Sequence, residues 1–481
     1  MIKDLHEKLI NQEIASEQLT SDYFAKIEEK DPEIKAYLSL NKEFALDKAR
    51  AVDKKIKKGE EIDLLAGIPF AVKDVICTEG IVTTAGSKIL ENYVPPYDAT
   101  VITKLKERDA VILGKTNTDE FAMGASTENS AFQITKNPHD TMRVPGGTSG
   151  GSTAAVAADE CVWALGSDTG GSIRQPSSFC GTVGLKLTYG TVSRYGLIAM
   201  ASSFDQIGPI AKTVEDAAIV LGRIRGRDPR DSTSMPTADK NFEDGLTGDI
   251  KKLRIGVPKE YFEGKGLDPR VREIIEKSIQ KYKSLGAEIV EISLPSGKYA
   301  LAAYYVIVPS EVSANMARFD GIRFGQSIGA ESEKTGADYT LWDIYFKTRA
   351  KYLGREVKRR IMLGTYALSA GYYDQYYIKA QKVRSLIRKE FEEAFQKVDL
   401  IIGPTAPTPA FKIGEKMEDP LEMYLADIYT APANIAGIPA ISIPCGTIEE
   451  GGKHLPVGLQ LMGKWFDEEK ILNAAHVFEK S

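Results

Sequence analysis

Apolar residues recur every three to four positions along the first 60 residues, which is the spacing of one buried helix face. This segment predicts two helices, of which the second runs from Asn41 to about Lys58. The apolar positions that carry the first helix are Leu5, Leu9, Ile10, Leu19, Tyr23 and Ile27. Residues 1–60 are therefore expected to form a helical N-terminal segment.

Beyond residue 60, short apolar runs typical of buried strands alternate with amphipathic stretches typical of helices. The predicted strands cover residues 67–76, 110–116, 161–166, 253–258, 287–294, 398–404 and 455–463. The predicted helices cover residues 98–110, 153–158, 268–286 and 467–479. This alternation predicts an α/β fold in which a central sheet is covered by helices on both faces.

Two of these helices begin at residues that commonly cap helices. Asp98 or Thr100 is expected to open the first one. In the third, Asp268 is the predicted N-cap, Pro269 the first-turn residue and Gly286 the residue that ends the helix. Together with its flanking strands, the third helix is predicted to form a βαβ unit.

Composition narrows the class of protein. The 481-residue chain is 43% hydrophobic and 27% charged, and its 62 basic and 67 acidic residues give a net charge of −5. That balance offers no general electrostatic attraction for nucleic acid. Four cysteines without paired spacing predict buried thiols with no disulfide framework and no zinc site. The N-terminus lacks the apolar core of a signal peptide, so we expect a cytoplasmic protein without a membrane span or bound metal.

The most distinctive stretch is rich in glycine and hydroxyl groups, with PGGTSGGS at 145–152 and SDTGGSIRQP at 167–176. Its hydroxyl side chains include Thr148, Ser149, Ser152 and Ser172. Glycines before Ser172 permit a sharp turn that gathers backbone N–H groups at a helix start, where they can stabilise an oxyanion. Ser172 is therefore a candidate nucleophile. The alternatives are ordinary tight turns, or a phosphate cradle that lacks the lysine of a Walker loop.

A serine nucleophile needs a base, and the chain has only four histidines. The nearest, His139, lies in a predicted turn, where a histidine is usually a surface residue. Lys73 interrupts an apolar strand, where burial would disfavour the ammonium and yield an amine that accepts a proton. The alternatives are that Lys73 reaches solvent from the strand end or pairs with Asp74. A hydroxyl group from the glycine-rich stretch would relay the proton to the lysine.

The stretch from 143 to 189, with GIPFAVKDVI upstream and ASSFDQIGPIAKTVEDAA downstream, resembles the signature of the amidase signature hydrolases. The resemblance spans essentially the whole chain and implies a Ser–cisSer–Lys mechanism through an acyl-enzyme. Carried over residue by residue, it implies Ser172 as nucleophile, Lys73 as base and Thr148 as the bridge after a cis peptide bond. The family has a serine at the bridging position, and Ser149 is the alternative bridge. Threonine keeps the hydroxyl but adds a methyl group and restricts χ1.

The resemblance also implies an architecture and an oxyanion site. The expected fold is a large mixed central sheet covered by helices on both faces. It is expected as a single domain over 1–481, with the helical N-terminal segment 1–60 and a substrate-specific insertion at about 295–395. The implied oxyanion donors are backbone N–H groups at Thr169, Gly170, Gly171 and Ser172.

Three stretches of the C-terminal half resemble the glutamine-hydrolysing components of tRNA-dependent amidotransferases: 319–325, 356–387 and 419–446. The α-carboxylate of glutamine favours an arginine partner, and its α-amine favours a carboxylate. By resemblance, Arg360 and Asp427 take these roles, with Arg359 as the close alternative to Arg360. Tyr304 is implied to line the pocket or the mouth of an ammonia channel. Without the resemblance, the charges at 358–360 would indicate a solvated helix face.

The resemblance implies partners as well. The chain would hydrolyse free glutamine and send ammonia to the B subunit of a heterotrimer. There, ATP and Mg²⁺ would activate the carboxylate of Glu-tRNA(Gln), of Asp-tRNA(Asn) or of both. A small C subunit would clamp the two larger ones together, and the mischarged tRNA would be bound mainly by the B subunit. No cofactor is expected in this chain itself. Two alternatives are a stand-alone amidase with an apolar pocket and a catalytically silent scaffold, the latter suggested by Thr148.

Overall fold

The computed structural model describes residues 1–237, 240–263, 266–330, 336, 338–417 and 419–481. The strands are β1 Tyr37–Leu40, β2 Pro69–Lys73, β3 Val111–Thr116, β4 Trp163–Asp168, β5 Val183–Lys186, β6 Gln206–Ala211, β7 Arg254–Pro258, β8 Glu288–Ile292, β9 Leu400–Pro404, β10 Ala440–Glu450 and β11 Lys453–Gly463. They form one sheet in the order β1-β3-β2-β4-β6-β5-β10-β11-β9-β7-β8. Both parallel and antiparallel pairs occur, so the sheet is mixed.

The α-helices are α1 Ile2–Ile10, α2 Ser16–Ile34, α3 Lys42–Lys57, α4 Thr100–Glu107, α5 Gly150–Ala157, α6 Arg174–Cys180, α7 Val214–Ile224, α8 Glu260–Glu263, α9 Pro269–Ser284, α10 Ala300–Asn315, α11 Leu341–Tyr352, α12 Arg355–Leu368, α13 Lys379–Lys397, α14 Pro420–Leu425, α15 Ala431–Ala436 and α16 Glu468–Lys480. Short 3₁₀ segments lie at Lys88–Leu90, Glu120–Ala122, Phe242–Gly245, Pro295–Tyr299 and Met316–Arg318, and a π-helical segment lies at Asp374–Ile378. Within the described part of the chain, no helix is long and apolar enough to cross a membrane.

The central strands are buried on both of their faces. Every residue of β2, β3, β4, β5, β6 and β9 is buried. Successive residues of a strand point to opposite faces, so both faces of the sheet are covered. Helices α3, α5, α6 and α7 lie against these strands, and α16 lies against β10 and β11. The predicted α/β fold with a mixed sheet covered on both faces is confirmed.

The N-terminal segment differs from its prediction. The apolar positions up to Ile27 belong to two helices, α1 and α2, which are separated at Gln12 with its φ of +56°. Ile10 is 49% exposed, so it does not continue the buried face from one helix to the next. Strand β1 was not predicted, because its four residues are too few to show a clear period. It pairs antiparallel with β3.

The predicted helix caps met different outcomes. Asp268 is the N-cap of α9 and accepts a hydrogen bond from the backbone N–H of Arg270 at 2.8 Å. Strands β7 and β8 flank α9 and pair in parallel, which confirms the βαβ unit. Helix α4 begins at Thr100, one of the two residues predicted to open it, but its N-cap is Ala99 and no side chain caps it. The Asp98 carboxylate binds Lys106 and the backbone of a distant loop instead.

The topology brings several strand and helix ends to one edge of the sheet. Strands β2 and β4 are parallel neighbours, and they end at Lys73 and Asp168. Helices α5 and α6 begin close to the same edge, at Gly150 and Arg174. In open α/β sheets, this carboxyl edge of parallel strands is where ligands commonly bind.

Replacing Asp268 with alanine removes a side-chain cap at a position outside this edge. We expect the first turn of α9 to lose about 1 kcal/mol of local stability, because one backbone N–H loses its acceptor. Hydrogen exchange of the amides in that turn should accelerate about fivefold. Asp268→Asn keeps a side-chain oxygen and serves as the control. Equal acceleration in both variants would contradict the capping role.

Candidate active site

The amine of Lys73 lies in a fully buried cluster of hydroxyl groups. Lys73 is the last residue of β2 and its side chain is 0% exposed. Its Nζ lies 2.6 Å from Thr148 Oγ1, 3.0 Å from Ser149 Oγ and 3.0 Å from Ser167 Oγ. The structure thus brings the predicted base and both candidate bridges together, and it adds Ser167 to the cluster.

Burial lowers the pKa of Lys73 to about 7, because the ammonium loses its hydration inside the protein. Three buried carboxyl groups oppose this effect: Asp119, Asp168 and Asp205. Among the described residues, none of them forms an ion pair with Lys73. A large fraction of the amine is therefore neutral near pH 7, and the neutral amine can accept a proton.

Two of these carboxyl groups are occupied by other hydrogen-bond donors. Asp119 accepts from the backbone N–H groups of Thr127 at 2.8 Å and Asn129 at 2.9 Å. Asp205 accepts from the hydroxyl of Thr169 at 2.7 Å. Burial raises the pKa of both aspartates to about 6. Asp205 thereby fixes Thr169, the first residue of the predicted oxyanion turn.

Asp168 ends β4 and anchors the start of α6. It accepts from the backbone N–H of Ile173 at 3.2 Å and from Arg174 Nε at 3.0 Å. Asn434 Nδ2 donates to its other oxygen at 2.8 Å. Although burial raises the pKa of Asp168, the charge and hydrogen bonds of Arg174 bring it down to about 2. This buried ion pair closes the turn at 169–172.

Thr148 and Ser149 use their hydroxyl groups differently. Within the described chain, Thr148 Oγ1 has Lys73 as its one hydrogen-bond partner. Ser149 Oγ donates to the carbonyl oxygen of Ser167 at 3.1 Å and accepts from the N–H of the same residue at 3.3 Å. The Thr148 hydroxyl therefore keeps the capacity to take a proton from a nucleophile. The Gly147–Thr148 peptide bond is cis, as the resemblance implies.

Ser172 lies in the turn between β4 and α6, next to the first glycine-rich turn. Its carbonyl oxygen accepts from the backbone N–H of Ser149 at 3.1 Å. Ser172 is 8% exposed, whereas the lysine and both candidate bridges are fully buried. The backbone N–H groups of Gly170, Gly171 and Ser172 have no acceptor among the described residues. These N–H groups are therefore available to an oxyanion.

The glycines of this turn face side chains from the C-terminal half. A Cβ on Gly170 would lie 2.5 Å from Tyr304 Oη, and a Cβ on Gly171 would overlap Thr430 Oγ1 and lie 3.1 Å from Asp427 Oδ1. Gly171 also has a φ of +147°, which strains any other residue. Tyr304 and Asp427 can approach the turn this closely because neither glycine has a side chain.

Arg360 is buried in α12, and its Nε donates to Glu356 Oε1 at 2.8 Å. The centre of its guanidinium lies 5.4 Å from the ring of Tyr305 and 5.6 Å from the ring of Tyr424. Its Nη2 has no hydrogen-bond partner among the described residues. Arg359 is partly exposed and pairs with the other carboxylate oxygen of Glu356. Of the two arginines, Arg360 is therefore the one that is buried in the protein interior. The alternative of a solvated helix face does not hold for it.

Two buried charged groups thus keep an unpartnered atom, Arg360 Nη2 and Asp427 Oδ1, within the part of the chain that the structure describes. Burial raises the pKa of Asp427 well above its usual value, the charge of Asp168 adds to this, and Arg360 opposes it. Burial also raises the pKa of Tyr304. The charge of Arg360 acts to lower this pKa, and that of Asp427 acts to raise it. A zwitterionic ligand would satisfy both atoms.

Two alternatives for the base do not hold. His139 is exposed, and its Nε2 lies 3.0 Å from the carbonyl oxygen of Cys180, outside the hydroxyl cluster. Asp74 accepts from the backbone N–H of Thr84 at 2.9 Å and lies 3.9 Å from Lys115 Nζ. The pairing of Lys73 with Asp74 is therefore wrong, and Lys73 does not reach solvent from the strand end.

Several residues of the site were not predicted from the sequence, although three of them leave a signal there. Ser167 and Asp168 directly follow the apolar run CVWALG, at the end of a strand parallel to that of Lys73. Glu356 stands four residues before Arg360, which is the spacing of an ion pair on one helix face. Asp205 leaves no such signal, because its link to the site is a contact with a distant turn.

Known proteins are similar to this chain over nearly its whole length. The family profile described as Amidase matches residues 18–472. The chain is 58% identical to the A subunit of glutamyl-tRNA(Gln) amidotransferase from Thermoanaerobacter pseudethanolicus, over 100% of this chain and 96% of that protein. It is 55% identical to the protein of the same name from Microcystis aeruginosa, over 100% and 97% of the two chains.

Solved structures are similar over nearly the whole chain. The A subunit of glutamyl-tRNA(Gln) amidotransferase from Thermotoga maritima has a TM-score of 0.79 at 43% identity, covering 97% of this chain and 92% of that one. The peptide amidase of Stenotrophomonas maltophilia has a TM-score of 0.82 at 30% identity, covering 100% and 96%. The chain therefore belongs to the amidase family, among the glutamyl-tRNA(Gln) amidotransferase A subunits.

Proposed function

We propose that this chain is the glutaminase component of a tRNA-dependent amidotransferase, in which it hydrolyses glutamine and releases ammonia. The ammonia serves a partner, the B subunit, where ATP and Mg²⁺ support conversion of Glu-tRNA(Gln) to Gln-tRNA(Gln), with Asp-tRNA(Asn) as the alternative substrate. A small C subunit completes the complex, and the B subunit makes most of the tRNA contact. This chain uses no cofactor of its own.

The proposed chemistry is an acyl transfer through Ser172. The neutral amine of Lys73 takes the hydroxyl proton of Thr148, which takes the proton of Ser172 as its Oγ attacks the amide carbon. Backbone N–H groups of Gly171 and Ser172 stabilise the oxyanion, with those of Thr169 and Gly170 completing the turn. The proton then passes to the leaving nitrogen, ammonia departs, and water hydrolyses the γ-glutamyl ester by the same relay.

One observation supports glutamine over other amides: Arg360 Nη2 and Asp427 Oδ1 are both buried and unpartnered among the described residues. Arg360 binds the α-carboxylate and Asp427 the α-ammonium, and a bound cation keeps the aspartate ionised despite its raised pKa. Tyr304 lines the pocket beside Gly170. We also assign the segment at about 295–395 as the substrate-specific insertion of a single domain spanning 1–481, because it carries α12 with Arg360.

The two alternatives differ from this proposal in specific ways. A stand-alone amidase for hydrophobic amides would surround its substrate with apolar side chains, whereas Arg360 and Asp427 are buried ionisable residues of this site. A silent scaffold would not need a lysine whose pKa is lowered to about 7 and whose amine is hydrogen-bonded to the Thr148 hydroxyl. Both alternatives predict activity patterns that the following experiments separate from glutamine hydrolysis.

A diazo-ketone analogue of glutamine should label the peptide that contains Ser172 and add the mass of the analogue after loss of nitrogen gas. We expect labelling to disappear in Ser172→Ala, which should also abolish glutamine-dependent transamidation by the complex. Ser178→Ala, a buried serine on the neighbouring helix, is the control and should label normally. Labelling elsewhere, or transamidation with glutamine that survives in Ser172→Ala, would contradict the proposal.

The pKa of Lys73 sets a pH dependence. Because the proton acceptor must be neutral, kcat/KM for glutamine should rise between about pH 6 and pH 8, with its midpoint near about pH 7. Lys73→Met should be inactive. Lys186 is equally buried, with a pKa also lowered to about 7 chiefly by burial, so Lys186→Met is the control and should keep the midpoint. A flat profile across this range would rule out the lysine base.

The bridging residue can be identified by comparing two variants. Thr148→Val keeps the shape of the side chain but removes its hydroxyl, and it should lower kcat by about 10³-fold. Ser149→Ala should lower kcat by about tenfold or less, because this serine orients Lys73 without carrying the proton. Thr148→Ser restores a hydroxyl and is the control. A larger loss in Ser149→Ala than in Thr148→Val would make Ser149 the bridge.

A further inference from the structure

Glu120 is a buried carboxyl group outside the catalytic cluster, and it connects two distant parts of the chain. Its Oε1 accepts from the hydroxyl of Ser87, and its Oε2 accepts from the backbone N–H of Gly354 at 2.7 Å. Glu120 is 2% exposed. Burial raises its pKa to about 7, while the two hydrogen bonds and the charge of Lys358 act to lower it.

The contact with Gly354 lies at the start of α12. Gly354 is the N-cap residue of that helix, and it has no side chain with which to cap. A Cβ at this position would overlap Glu120 Oε2, so the close approach of the carboxylate requires glycine. A carboxylate that accepts from the N-cap N–H is one half of a capping box, and negative charge is favourable at this helix end. Here the carboxylate comes from 234 residues earlier in the chain.

Helix α12 carries the groups that hold the substrate-binding arginine. Glu356 lies in its first turn, and Glu356 Oε1 accepts from Arg360 Nε at 2.8 Å and from the hydroxyl of Tyr424 at 2.9 Å. Arg360 follows Gly354 by about 9 Å of helix rise. Further along, a Cβ on Gly364 would overlap the carbonyl oxygen of Pro309, so the helix packs closely on α10 there. The contact with Glu120 therefore anchors the N-cap residue of α12, whereas the contact with Pro309 lies in the C-terminal half of the helix.

We infer that Glu120 is a positioning residue for substrate recognition: by fixing the start of α12, it aligns Arg360 with the α-carboxylate of glutamine. This inference rests on the proposed function of the chain. Glu120 contacts no substrate in this arrangement and acts through Gly354 and the helix. It links the loop that follows β3, which also carries Asp119 near Lys73, to the helix that selects the substrate.

Replacement of Glu120 by glutamine tests the contact with little change in shape. Glutamine can still accept from the N–H of Gly354 through its carbonyl oxygen while its NH₂ group donates to the hydroxyl of Ser87, but it carries no negative charge. The hydrogen bond at the start of α12 is then neutral and weaker than that of a carboxylate, so this end of the helix is held less firmly. We expect the KM for glutamine to rise about tenfold while kcat changes less than about twofold, since a small misplacement weakens a directional ion pair.

The experiment compares two substrates in the complex of the full-length chain with its partners. The first is glutamine, and the second is 4-aminobutanamide, which is glutamine without its α-carboxylate. Ammonia release should show the higher KM of Glu120→Gln for glutamine only, with kcat/KM for 4-aminobutanamide unchanged within about twofold. A general structural defect would instead lower kcat/KM for both substrates, and that outcome would overturn the inference.

Two further variants support this comparison. Glu260→Gln is the matched control, because Glu260 also accepts from one serine hydroxyl and one backbone N–H, those of Ser293 and Leu294. It should leave both substrates unaffected. Gly354→Ala tests the same contact from the helix side if Glu120→Gln folds poorly, and it should raise the KM for glutamine selectively.

The outcomes separate this inference from the proposed function. Unchanged KM for glutamine in both Glu120→Gln and Gly354→Ala would overturn the positioning role while leaving glutamine hydrolysis by the wild type intact. A wild-type complex that releases no ammonia from glutamine would overturn the proposed function, and the role of Glu120 with it.

Discussion

The desolvation of one lysine amine is the constraint on which the site depends. An ammonium buried in apolar surroundings loses its hydration, so its pKa falls and the neutral amine is favoured. A carboxylate in contact with the ammonium would offset this effect. Lys73 meets only hydroxyl groups and one carbonyl oxygen within hydrogen-bond distance among the described residues. These groups solvate a neutral amine well without adding a negative charge that would hold its proton.

Three nearby carboxyl groups act against the lowering of the Lys73 pKa by burial, and their other hydrogen-bond partners limit this opposition. Asp168 is committed to Arg174, and Asp119 and Asp205 are committed to backbone and hydroxyl donors. Two of these sets of hydrogen bonds also shape the backbone, because Asp168 closes the turn at 169–172 and Asp205 fixes Thr169 within it. The same hydrogen bonds therefore shape the oxyanion turn and keep the neighbouring carboxylates away from the lysine. This double role explains why so many buried polar groups surround one sheet edge.

The elements with a strong local signal could be predicted from the sequence. Lys73 interrupts a continuous apolar run, Ser172 follows a glycine pair, and Asp268 precedes a regular amphipathic helix. In each case the residues immediately before or after it in the sequence indicate its role, so a short stretch of sequence is enough for the prediction. The break between α1 and α2 was not predicted, and neither was the cap at Ala99, beside which Asp98 binds the backbone N–H of Glu79 from a distant loop.

Long-range partners were also beyond reach, because their chemistry depends on which segments the fold brings together. Glu120 and Gly354 look ordinary in the sequence, and only the folded chain shows that they touch. Asp427 and Arg360 could be named from the resemblance, but their shared lack of a partner among the described residues is visible only in three dimensions. The sequence patterns and the resemblance therefore indicated the candidate catalytic and binding residues, but not the side chains that hold them in place.

The threonine at position 148 shows how a departure from the family pattern can preserve the geometry. A β-branched side chain has few χ1 rotamers, so its hydroxyl is restricted before any partner binds. In this protein that hydroxyl lies 2.6 Å from Lys73, and the residue is fully buried. The restricted χ1 and the burial therefore hold this hydroxyl beside the amine, which is the arrangement that the proposed bridge requires.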